Sequence, residues 1–201
     1  METASENFPS YKSATASKDF AQFLHAMRQF QDLASSSAPD DHTWRKATEH
    51  LDALSALLEP HKAAAGIPPA GRALELPGMG NPLLPSWQIV AAGPDGTTFE
   101  GQFSRYYLGA NNVVLGGVLP LLFDWLFAVA NVAAGRPLSR TAHLNVDYRK
   151  AARIDTPLVA TARLVSVDGR KTVLSATLTD TAETVLAEAN TLMIALLAHH
   201  H

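Results

Sequence analysis

A nearly apolar run over residues 113–134, broken by a single acidic side chain, Asp124, constrains this chain more than any other feature. It is too long for a strand, and Gly135 and Pro137 stop it, so it predicts one helix over about residues 116–134. A membrane span is the competing reading for so apolar a stretch. Asn112, Asp124, Asn131 and Gly116-Gly117 punctuate it, and neither charged flanks nor aromatic belts bracket it. A helix buried in a protein core is therefore expected.

The flanking sequence has a different period. Trp87, Ile89 and Ala91 alternate, Pro94-Asp95-Gly96 marks a turn, and residues 98–107 read as a partner strand. After the helix come four strand candidates, at 139–150, 158–167, 171–180 and 184–197, with tight turns at Asp168-Gly169 and Thr181-Ala182. Such an antiparallel sheet must cover one face, and the apolar helix is the element long enough to do it. The expectation is an α+β domain over residues 87–197, with the sheet wrapped around one central helix.

The preceding residues are organised differently. Residues 1–17 form a Ser/Ala/Thr-rich leader without the pattern of a signal peptide. Phe20, Phe23, Leu24, Met27, Phe30 and Leu33 recur at helical spacing, as do Trp44, Ala47, Leu51, Leu54, Leu57 and Leu58. Together they predict a helical hairpin over residues 18–65, an extension that packs on itself or on the following domain. Residues 66–86 are rich in proline and glycine and predict an irregular linker crossing the surface of the main domain. The terminal His199-His200-His201 reads as the remnant of a purification tag.

Composition narrows function by exclusion. A net charge of −3 gives no electrostatic footprint for nucleic acid. The chain contains no cysteine, which removes disulfides, thiolate metal sites and cysteine nucleophiles and fits a reducing cytoplasm. His25, His42, His50, His61 and His143 lack the paired spacing of a zinc site, so neither metal nor cofactor is expected. No phosphate-binding glycine loop or serine-centred elbow is present.

The chemistry concentrates between Tyr107 and Trp125. Gly116 and Gly117 open the helix, so backbone can approach a ligand with no side chain between. The first N–H groups of a helix lack intrahelical partners and lie at the positive end of its dipole, suited to polarising a carbonyl. Pro120 is compatible with that opening. Asp124 stands among Leu121, Leu122, Phe123, Trp125, Leu126 and Phe127, where burying a carboxylate is costly unless it is compensated. It follows Gly117 by seven residues, which is two turns, on roughly the same face and about 10 Å along the axis. One substrate carbonyl cannot meet both groups on one chain. Two antiparallel copies of the helix would bring each aspartate to the other's glycine end.

Gly116-Gly117, six further residues and Asp124 resemble the signature of hotdog-fold acyl-CoA thioesterases of the phenylacetate-pathway type, His-Gly-Gly-x6-Asp. The stretch from Thr141 through Leu144, Val146 and Tyr148 to Arg149 is similar to the strand that follows in that family. The resemblance covers about residues 87–197. It implies a hotdog fold with sites between two subunits, in a homodimer or a homotetramer built from dimers. It also implies hydrolysis of an acyl-CoA in fatty acid metabolism, with Asp124 as general base to water or as nucleophile, and with the partner's Gly117 N–H on the thioester carbonyl. Leu115 stands where the family has its histidine, which removes a polar contact beside the thioester but leaves carboxylate and backbone donor in place.

Around this pair, Asn111, Asn112, Leu115, Gly116, Thr141, Tyr148 and Arg149 are the candidate substrate contacts. The two asparagines could supply an amide to the carbonyl or water, or be turn residues that tolerate left-handed backbone. Tyr148, Arg149 and Lys150 could meet the phosphates or adenine of coenzyme A, or form a solvated face. Asp124 could instead be a surface aspartate paired with Arg140 or Arg149. Leu121, Phe123, Trp125 and Phe127 suggest a fatty or aryl acyl group. The rival from another class is a non-catalytic acyl-CoA or lipid-binding hotdog protein that lost turnover with the histidine. A hydratase on the same fold is a weaker third reading, because it places its His–Asp pair elsewhere.

Overall fold

The computed structural model describes residues 14–64 and 67–197; most of the leader and the terminal histidines lie outside the described residues. Two helices, α1 (Lys18–Ser36) and α2 (Asp41–Leu58), precede the sheet. Six strands follow: β1 (Gln88–Gly93), β2 (Gly96–Gly101), β3 (Ser139–Tyr148), β4 (Leu158–Asp168), β5 (Lys171–Asp180) and β6 (Val185–Ala195). The third helix, α3 (Val118–Ala133), enters between β2 and β3. All neighbouring strands are antiparallel, in the order β1-β2-β4-β5-β6-β3, so β1 and β3 are the edges. This is the hotdog fold: one sheet curled around one apolar helix.

The packing follows from side-chain size. Alternate residues of the central strands point at α3, and many are small: Ala160, Ala162, Ala176, Ala187 and Ala189 are all buried. The helix can therefore seat its bulk close to the sheet, and Leu122, Phe123, Leu126 and Phe127 are fully enclosed there. Burying each contributes on the order of 1.5–3 kcal/mol. Strand β2 ends at Gly101 rather than running to Tyr107. The Trp87 ring lies where a Cβ on Gly101 would be, 2.5 Å away, and residues Arg105–Tyr107 turn in a tight helical loop beyond it.

The Pro/Gly-rich segment is irregular but does not simply cross the surface. Ala73, Leu74 and Met79 are buried, and the Trp125 Nε1–H donates to Met79 Sδ at 3.1 Å. Arg28 of α1 clasps the same segment by donating to the carbonyls of Leu84, Pro77 and Asn81. Asp32 accepts from Tyr106 N–H at 2.8 Å, which ties α1 to the loop after β2. Burial behind this clasp pushes the Tyr107 phenol up to about 12. Among the described residues α2 has no such partner: it has no buried residue, and Trp44, Leu51, Leu54, Leu57 and Leu58 remain exposed.

Candidate functional site on the seam between α3 and β3

The sheet leaves one stripe of α3 uncovered. Gly117, Asp124 and Ala128 are exposed along it, with Pro120 and Leu121 half-buried between them. Asp124 was expected to be buried among its apolar neighbours; in the single chain it is exposed. Phe123, Trp125 and Phe127 turn into the core. The helix thus separates the two roles by face, and no desolvation cost falls on the carboxylate until something covers the stripe.

Beside this stripe runs the edge strand β3. Ser139 accepts from Asn131 Nδ2 at 3.2 Å, Thr141 Oγ1 donates to Asp124 Oδ1 at 2.7 Å, and the Tyr148 hydroxyl donates to the Gly116 carbonyl at 2.8 Å. These three contacts track α3 from its C-terminal to its N-terminal end. Thr141 and Tyr148 are seven positions apart, an odd number, so in a regular strand they would face opposite ways. The register between β3 and β6 shifts between Thr141 and His143, a bulge at Ala142. That extra residue reverses the alternation and lets both side chains face the helix.

At the glycine end, Val118 N–H is taken by the Leu115 carbonyl and Leu119 N–H by that of Gly116. The N–H groups of Gly116 and Gly117 have no acceptor among the described residues. A Cβ on Gly117 would meet nothing within 4 Å, so the space in front of its backbone is open. Leu115 is 57% exposed and adds no polar group. Next to it a cleft of about 400 Å³ is lined by Val113, Val114, Gly116, Leu119, Tyr148, Arg149, Lys150, Ala151 and Ala152.

The structure brings together Asp124 with Thr141, and Gly116 with Tyr148; Asn111, Asn112 and Arg149 are engaged elsewhere. Asn111 and Asn112 have φ of 56° and 59°, and Val113 N–H closes onto the Ala110 carbonyl at 3.1 Å. They are the central residues of a type I′ turn between Leu108 and Val114, a role that accounts for both asparagines through their backbone. Arg149 donates to Glu188 at 2.7 Å and lies 3.7 Å from Asp147, so two carboxylates already hold its charge. It is not the partner of Asp124. The Thr141 and Tyr148 contacts leave no local pattern in the sequence because each joins residues distant in the chain. The only signal for them was the threonine and tyrosine on one strand, whose shared facing depends on the bulge. Among the described residues no cluster of three or more potential ligands could hold a metal, and no helix is long and apolar enough to cross a membrane.

Residues 111–187 match the family model described as the thioesterase superfamily. No curated protein matches the chain. Among solved structures, a thioesterase superfamily protein superposes with a TM-score of 0.78 at 23% identity, covering 90% of this chain and 98% of its own. That coverage extends well beyond the sheet domain into the N-terminal region. A Streptococcus mutans protein bound to acetyl-CoA gives a TM-score of 0.52 at 17% identity, covering 55% of this chain and 88% of its own. A hypothetical thioesterase from Streptococcus pneumoniae with coenzyme A gives 0.52 at 17% identity, covering 55% and 85%. At these identities the superpositions speak to fold.

Proposed function

We propose that this chain, which has the hotdog fold and whose residues 111–187 match the thioesterase-superfamily model, hydrolyses an acyl-CoA thioester to the free acid and coenzyme A. The observation that carries the proposal is the 2.7 Å bond from Thr141 to Asp124 on the stripe of α3 that also exposes the unpaired Gly117 N–H. The bond uses one carboxylate oxygen and leaves the other able to take a proton from water. The activated water adds to the thioester carbonyl, the C–S bond breaks, and the leaving thiolate takes the proton from Asp124 to depart as coenzyme A. The Gly117 N–H holds the oxygen on which negative charge develops.

The separation of these groups requires a second copy. Asp124 of one chain works with the Gly117 N–H of another, the two helices lying antiparallel across a two-fold axis. Among the described residues β3 is an unpaired edge beside the uncovered stripe, so one contact would satisfy both surfaces. It would also withdraw Asp124 from water. The CoA-bound streptococcal structures support the substrate class.

The test is release of free thiol from a panel of aliphatic and aryl acyl-CoAs. Wild type releases thiol and Asp124→Asn does not; equal turnover by both would overturn the role given to Asp124, and no turnover by wild type would end the hydrolytic proposal. The binding-protein reading is favoured by Leu115 at the motif histidine's place. It predicts that neither protein turns over while both bind acyl-CoA. Under the hydrolytic reading, Leu115→His raises turnover severalfold, and an unchanged rate would show that the histidine's absence costs nothing.

A further inference from the structure

We propose that Tyr148 is a positioning residue, whose hydroxyl fixes the peptide plane that presents the Gly117 N–H. Its catalytic meaning rests on the hydrolytic reading above; its structural content does not. The carbonyl of Gly116 and the N–H of Gly117 belong to one planar peptide unit and point in opposite directions. Whatever anchors that oxygen therefore aims that hydrogen. Tyr148 donates to the oxygen at 2.8 Å, and Leu119 N–H donates to it from the helix at 3.3 Å.

Little else holds the unit. Neither glycine has a side chain to pack, and glycine backbone is the least restricted of any residue. Open space lies in front of Gly117, whereas the position of a Cβ on Gly116 is 3.9 Å from the Tyr148 ring and hydroxyl. A hydrogen bond received by the carbonyl also polarises the amide, which strengthens its N–H as a donor. The hydroxyl reaches this oxygen only because the bulge at Ala142 turns Tyr148 toward the helix. This assigns the phenol to the backbone of the site and not to coenzyme A.

The chain contains a single Gly-Gly pair. Glycine labelled with ¹³C at the carbonyl and ¹⁵N at the amide therefore gives one carbonyl-to-amide correlation, that of Gly116 with Gly117. Tyr148→Phe keeps the ring and removes the hydroxyl. The expected result is an upfield move of the Gly116 carbonyl carbon and severalfold faster exchange of the Gly117 amide. In the thiol-release assay kcat falls about tenfold, the worth of one hydrogen bond, with KM within about twofold and the shape of the pH profile unchanged, since Asp124 manages the proton. An unmoved correlation overturns the proposal, as does a raised KM with unaltered kcat, the mark of a substrate contact. If wild type shows no turnover, the hydrolytic reading fails while the labelled pair still decides what Tyr148 does.

Discussion

The two ends of the seam between α3 and β3 solve the same problem with different materials. At Asp124 the proposed acting group is a side chain, and Thr141 holds it directly. At Gly117 the proposed acting group is backbone, and the contact to Tyr148 falls on the neighbouring carbonyl of Gly116. A side-chain end can be abolished by changing one residue's chemistry with its shape kept. A backbone end tolerates many substitutions and fails only when the N–H is removed or turned. The comparison teaches that mutational sensitivity at a position measures which atoms act there, and not how much the position matters.

The two ends therefore break differently. Asp124→Asn removes the proposed base and should lower kcat by about 10²–10⁴-fold with the fold intact. Gly117→Pro removes the N–H while keeping a compatible φ of −65°. It should cost roughly 10²–10³-fold in kcat, whereas Gly117→Ala, which keeps the donor and meets no neighbour, should retain most activity. Comparable losses in the alanine and proline variants would show that shape, not the donor, is what Gly117 supplies. Thr141→Val loses one charge-assisted bond and should cost about tenfold in kcat, read against unchanged thermal unfolding. A fall in thermal stability of several degrees instead would mark Thr141 as a packing residue. Leu115→His, the gain described above, is the smallest change and sharpens the glycine end alone.

Much of the fold was legible because periodicity is local. Six strand segments and three helices follow from alternation at period two and from apolar stripes at three- and four-residue spacing. Even the stop at Gly135-Arg136-Pro137 can be read directly. The extent of β2 was not, since its end depends on Trp87, just before β1, occupying the space above Gly101, a contact between segments apart in the chain. For α2 the stripe was readable but its exposure was not, because periodicity marks an apolar face without naming what covers it. At the site, Asp124 and Gly117 were visible as a spacing, and the asparagines as turn formers. Their supports were hidden: the contacts of Thr141 and Tyr148 span seventeen and thirty-two residues and depend on a bulge that shifts parity midway along β3.

The central claim, that each site takes its aspartate from one copy and its amide from another, is tested most directly by complementation. Asp124→Asn and Gly117→Pro chains are each expected to be inactive as homodimers. Mixed by unfolding and refolding together, they form hybrids in which one of the two sites has both native groups, so about one quarter of wild-type thiol release per chain should return. A mixture that stays as inactive as its two components would contradict a site shared between copies.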